Sequence, residues 1–138
     1  MNKKISLKSV MVAILIIAVC VFLLSNKKYD ILNMNAEDIK SIYIENQDSG
    51  MSIEITDQNT ISLITKNLNT IKVKRYNPSE DYAKTNIKMT IISRSGSDIK
   101  GAFQTFVIES SQRIFANKEN YYTIEGEFDM KLIENLIK

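Results

Sequence analysis

Histidine and tryptophan are absent from this chain, cysteine and proline occur once each, and glycine only four times in 138 residues. Each shortage removes a class of chemistry. Without histidine there is no imidazole base for a Ser–His or Cys–His nucleophile and no Cys/His zinc site. A single cysteine cannot form an intrachain disulfide. Four scattered glycines cannot build the glycine-rich turns that cradle a nucleotide's phosphates. The serines of Ser93-Arg94-Ser95-Gly96-Ser97 then have only lysine as a possible activating base, and nothing in the pattern specifies one.

What is abundant is aliphatic. Val10 to Leu24 are fifteen consecutive apolar residues, preceded by Lys3, Lys4 and Lys8 and followed by Ser25, Asn26, Lys27 and Lys28. Fifteen helical residues reach ~22 Å and the uncharged stretch 9–26 reaches ~27 Å, close to a ~30 Å hydrocarbon core. Flanking lysines can extend to the headgroups and cover the shortfall. A signal-peptidase site needs small residues at −3 and −1 after the run. Leu23 occupies −3 for a cut after Ser25, so an uncleaved anchor is favoured over a signal peptide. Cys20, with Val19 before it and Val21 to Leu24 after it, reads as a membrane-helix side chain and not a lipidation site. Three lysines and the α-amino group on the N-terminal side, against two lysines beyond, favour a cytoplasmic N-terminus and a domain outside.

The expected organisation is therefore an anchor (1–28) that meets the lipid bilayer through residues 9–26, a short linker (29–36) and an extracytoplasmic domain (37–138). Cutting at Lys28 leaves 110 residues with 13 basic and 16 acidic side chains, so the basic pI of about 8.6 belongs to the membrane segment. An acidic domain argues against nucleic acid as a partner.

Within that domain the pattern is mostly period two, the signature of strands. Ile42 and Ile44 share one face, and Met51, Ile53 and Ile55 share another, across an Asn46–Gly50 turn. Ile61, Ile64, Leu68 and Ile71 then recur at helical spacing behind Asp57, a fitting N-cap. Alternation returns at residues 71–76, 87–91, 99–109, 113–116 and 121–125. Asp129 can cap a last helix carrying Met130, Ile133, Leu136 and Ile137 on one face. The order β-β-α-β-β-β-β-β-α, with no βαβ repeat, predicts an α+β fold with a mainly antiparallel sheet and two helices.

Candidate contacts are few. Arg75 and Tyr76, in a cluster with Lys72 and Lys74, and Tyr82 in the polar loop 77–86 are the candidate partner-contact residues, suited to an anionic partner or to lipid headgroups. Glu80 and Asp81 in the same loop read as solvated acids, not a catalytic pair. Of the pairs Phe103/Phe106 and Tyr121/Tyr122, alternation predicts one member inward and one outward. No catalytic, metal or cofactor residues emerge, and no cofactor is expected.

The stretch IKSIYIENQDSGMSIEITDQNTISLITKNLNTIKVKR and the closing YYTIEGEFDMKLIENLIK resemble a group of small exported or membrane-anchored proteins of clostridia and bacilli. These carry one uncharacterised α+β domain. The matching elements are the strand ending Ile55-Thr56-Asp57, the helix running through Leu68-Asn69-Thr70-Ile71, and the closing Tyr122-Thr123-Ile124 with Asp129 and its helix. Lys, Ile and Asn supply 50 of the 138 residues, a composition typical of AT-rich Gram-positive coding. Such relatives often carry Gly-Trp or similar aromatics in the middle loop, where this chain has Asp81-Tyr82-Ala83. The resemblance implies no activity and carries no functional residues over. The expected function is a membrane-anchored extracytoplasmic binding or interaction module without catalysis. It would dock an envelope or membrane protein, or neutralise a secreted peptide or toxin as an immunity-type protein does. The alternative is a small-ligand or envelope-stress sensor that signals through the anchor.

Overall fold

The structure is a computed structural model that describes residues 7–77, 86–96 and 98–138. Helix α1 (Leu7–Ser25) is apolar from Val10 to Leu24, and none of its residues is buried against the rest of the chain. The domain proper contains strands β1 (Lys28–Asp30), β2 (Ile39–Asn46) and β3 (Ser52–Ile55), helix α2 (Gln58–Asn69), and strands β4 (Lys72–Tyr76) and β5 (Ile87–Ser93). Strands β6 (Thr105–Ser110), β7 (Arg113–Ala116) and β8 (Glu119–Glu125) and helix α3 (Met130–Leu136) complete it. The eight strands form one sheet in the order β1-β4-β8-β7-β6-β5-β2-β3, with every neighbouring pair antiparallel. The fold is α+β, and the predicted order stands with one three-residue strand added at its start.

Side-chain alternation assigns the faces. Ile55, Ile42 and Ile91 lie in register across three strands, as do Ile44, Met89 and Phe106, and Ile87, Ile108, Ile114 and Tyr121. All are buried, and they form one core with Ile61, Ile64 and Leu68 of α2 and Ile133 of α3. Each buried Ile or Leu contributes about 1.5–3 kcal/mol, so this inward face carries most of the domain's stability. Both helices start on an aspartate. Asp57 accepts from the Thr60 amide at 2.8 Å, and Asp129 accepts from the Leu132 amide at 3.0 Å. Asn67 ties them together, donating to the Glu127 carbonyl at 2.9 Å and accepting from the Asp129 amide at 3.1 Å.

Three expectations are corrected. Residues 29–36 are no linker, because Ile31, Leu32 and Met34 are buried in the core. Their backbone is laced in on both sides. The Ile31 amide reaches the Ile71 carbonyl at 3.3 Å, and the Ala102 and Asn33 amides pair with the carbonyls of Asp30 and Lys100 at 2.8 and 2.9 Å. Asn69 clasps Met34 through both its amide and its carbonyl. The segment lacks a period because it threads between two different neighbours and buries side chains on both sides.

The second correction concerns residues 99–109, of which only Thr105 onward is strand. The chain before it bends at Gly101 (φ +125°), where an added Cβ would lie 2.6 Å from the Ile31 carbonyl oxygen. Only glycine allows that approach. Third, Phe103 and Phe106 are both buried. Phe106 points inward from β6, while Phe103 reaches the core from the irregular segment to pack on Tyr29 and Tyr121 at 6.3 and 4.8 Å between ring centroids. Tyr121 and Tyr122 divide inward and outward as alternation predicts.

Candidate functional site

Two residues, Asn26 and Lys27, separate the end of α1 from β1. The junction is braced on both sides. Lys74 donates to the Asn26 side chain at 2.7 Å, the Lys27 ammonium lies 5.2 Å from the Tyr29 ring centroid, and Lys28 and Lys72 approach Glu125 at 3.6 and 3.9 Å. Lys28 is also the register partner of Lys74. Of these, the Lys74–Asn26 hydrogen bond is the one that ties the sheet to the junction.

Arg75 and Tyr76 sit here, at the end of β4. Period two sends their side chains to opposite faces. Arg75 shares the inner face with its cross-strand partner Tyr121 and forms an ion pair with Glu119. Tyr76 lies on the outer face, edge-on to Tyr122 at 5.6 Å, with the Arg113 guanidinium 5.5 Å from its ring. Beyond the last strand residue both faces open into a common crevice of about 480 Å³. Val21, Leu24 and Ser25 of α1 line one side, and Arg75, Tyr76, Asn77 and Glu119 line the other. Tyr82, Glu80 and Asp81 lie outside the described residues, so the expected cluster is represented by Arg75 and Tyr76. Burial pushes the neighbouring Tyr121 phenol above its ordinary value, with Tyr29 and Glu119 adding to the effect. Tyr121 is accordingly a neutral core side chain near pH 7.

The outer sheet face carries a second set of side chains. Tyr43, Ile92, Phe115 and Tyr122 are each more than a third exposed, the highest being Phe115 at 39%. The two helices belong to the opposite face. Val107 is the register partner of both Phe115 and Lys88, and Glu45 is within 3.9 Å of Lys88, so a charged pair shares a cross-strand row with Phe115. Tyr43 and Phe115 were not among the residues expected to make contacts. The signal was present in the alternation: Ile42 and Ile44 inward force Tyr43 outward, and Ile114 inward does the same for Phe115.

A third feature is a cleft of about 620 Å³ between α2 and the 34–37 segment. Asn35, Gln58, Asn59, Ser62, Lys66 and Asn69 supply its polar lining. Thr65 also lines it, is only 3% exposed, and its hydroxyl has no hydrogen-bond partner among the described residues. Thr65 falls four residues after Ile61 on the buried stripe of α2, a polar residue in an apolar column, and that was the signal that could have found it. Among the described residues no group of three or more His, Cys, Asp or Glu side chains is placed to hold a metal ion. Comparison with family models, with curated proteins and with solved structures gave no match.

Helix α1 is long and apolar enough to cross a membrane, a property shared by single-pass anchors and signal sequences.

Proposed function

We propose that this protein is a membrane-anchored binding module whose domain lies on the extracytoplasmic side and which performs no catalysis. One observation carries the reading: a broad outer sheet face with Tyr43, Ile92, Phe115 and Tyr122 exposed, on a domain joined to an apolar helix by two residues. Aromatic side chains on a rigid sheet are effective protein contacts because they bury large area for little lost side-chain freedom. A short, braced connection confines that face near the bilayer and raises its effective concentration toward other envelope or membrane proteins. The greater number of lysines before the apolar run supports a cytoplasmic N-terminus. The resemblance to small exported Gram-positive proteins points the same way.

The test is crosslinking and affinity capture of the tagged full-length protein from native membranes, against the anchor alone and against Phe115→Asp and Tyr122→Ala. A protein partner lost with either substitution supports the reading. Capture that is unchanged by both removes the outer face as the contact surface. Arg75→Ala and Tyr76→Ala, run in parallel, ask whether the end of β4 contributes.

The alternative of a small-ligand sensor draws on the orphaned Thr65 hydroxyl in the α2 cleft, since a buried unpaired hydroxyl is costly unless a ligand or water satisfies it. Thermal-shift screening of neutral polar compounds, repeated on Thr65→Val, tests it. A stabilising hit that disappears in the variant would move the function to that cleft.

A further inference from the structure

The crevice between α1 and the end of the sheet lies at a depth that the helix length sets. Nineteen residues at 1.5 Å each make α1 about 28 Å long, close to the ~30 Å hydrocarbon core. Ser25 then falls at the boundary between acyl chains and headgroups, whichever side of the membrane the domain occupies. The crevice wall changes character at this level. Val21 and Leu24 supply an apolar lower side, and Arg75, Tyr76 and Asn77 a polar upper side.

Charge is segregated to the same end. From residue 29 onward acids outnumber bases, 16 to 13. Around the junction, where Lys27 and Lys28 from before that range join in, Lys27, Lys28, Lys72, Lys74, Arg75 and the hairpin residue Lys118 stand against Asp30, Glu119 and Glu125. Glu119 engages Arg75 through one terminal guanidinium nitrogen, which orients a group whose planar fork can also reach an oxyanion.

We propose that this crevice seats the phosphodiester headgroup of an anionic membrane lipid, with Arg75 on the phosphate and Val21 and Leu24 against the upper part of an acyl chain. The proposal rests on α1 being a retained membrane anchor. A bound lipid would fill the gap between helix and sheet and fix the tilt of the domain, and with it the direction in which the outer sheet face looks.

The test uses the full-length chain in nanodiscs of equimolar phosphatidylcholine and phosphatidylglycerol, followed by quantification of the lipid that stays with the protein after mild detergent extraction. The expected result is phosphatidylglycerol retained in excess over its bulk share. One basic contact near the surface is worth about a fivefold preference, so Arg75→Gln should lose that factor. Lys131→Gln, in α3 and outside the crevice, should keep it. Arg75→Lys should fall between, because it keeps the charge and loses the planar fork. Retention of the two lipids in their bulk ratio, or an Arg75→Gln protein indistinguishable from the unaltered one, overturns the proposal while leaving the anchor in place. Recovery of the chain outside the discs overturns the anchor and the lipid seat together. Inorganic phosphate added to phosphatidylcholine discs separates the two sources of the anion. If it binds with the same Arg75 dependence and phosphatidylglycerol is not retained, the lipid assignment falls.

Discussion

Asp57 does two jobs with one carboxylate oxygen, accepting from the Thr60 amide at 2.8 Å and the Thr60 hydroxyl at 2.7 Å. Those hydrogen bonds from Thr60 hold its carboxyl below the ordinary value of 3.8. A carboxyl depressed in the folded state stabilises it fully above the unfolded value, and that contribution disappears as the pH falls through the folded one. Asp57→Asn should therefore keep most of the capping at neutral pH and lose the dependence on acid below pH 4. Asp57→Ala should lower the thermal midpoint at every pH. Melting curves of the three proteins between pH 2 and 7 check both statements. Gly101 is the least replaceable residue on the irregular segment. Gly101→Ala forces both a positive φ and a 2.6 Å contact with the Ile31 carbonyl, and should cost ~2 kcal/mol or more in urea unfolding. Thr65→Val goes the other way. Removing an unpartnered buried hydroxyl at similar volume should stabilise by about 1 kcal/mol, measured by the same unfolding curves.

Among the elements, the β7–β8 hairpin shows local preference yielding to pairing. Ala116 pairs with Glu119, so the turn is the two residues Asn117 and Lys118, both at positive φ (50° and 65°). This is the type I′ geometry, which matches the twist of the strands and favours Asn-Gly. A lysine in the second position is strained. Lys118→Gly should raise stability by about 1 kcal/mol, read from the urea midpoint, and should leave the outer face unchanged. Alternation over 113–116 and 121–125 leaves four residues between the strands, two more than the turn uses, because Glu119 and Asn120 are polar residues used as strand. The helices were more legible. Ile61, Ile64 and Leu68 all proved buried on α2, and Asp57 and Asp129 both cap, because helix spacing and an N-cap aspartate are local signals that tertiary contacts reinforced.

At the scale of the molecule, the deciding feature is that the fold begins within a few residues of the apolar helix. Ile31, Leu32 and Met34 together contribute roughly 6 kcal/mol of burial, comparable to the 5–15 kcal/mol net stability of an ordinary domain. A chain starting at Glu37 should therefore be largely unfolded, while one starting at Lys27 should show a cooperative urea transition. Far-UV circular dichroism across a denaturant series separates the two. The same closeness makes α1 and the sheet neighbours across the Arg75 crevice, so a flexible insertion between Asn26 and Lys27 should weaken lipid retention without unfolding the domain.

Composition and periodicity alone determined the apolar span at 10–24, the α+β class, the order of strands and helices from β2 onward, both caps and the absence of histidine chemistry. These are properties of short windows, where each residue's preference and spacing agree with its neighbours. Tertiary structure alone decided that 29–36 belongs to the core, that Phe103 reaches inward from outside a strand, that Arg75 and Tyr76 part to opposite faces yet meet one crevice, and that the Thr65 hydroxyl finds no partner among the described residues. Each of those depends on which distant segment lies alongside: Lys100 to Ala102 beside Asp30 to Asn33, or Glu119 beside Arg75. Sequence spacing carries no record of such pairings, because loop closure brings together residues that share no local pattern.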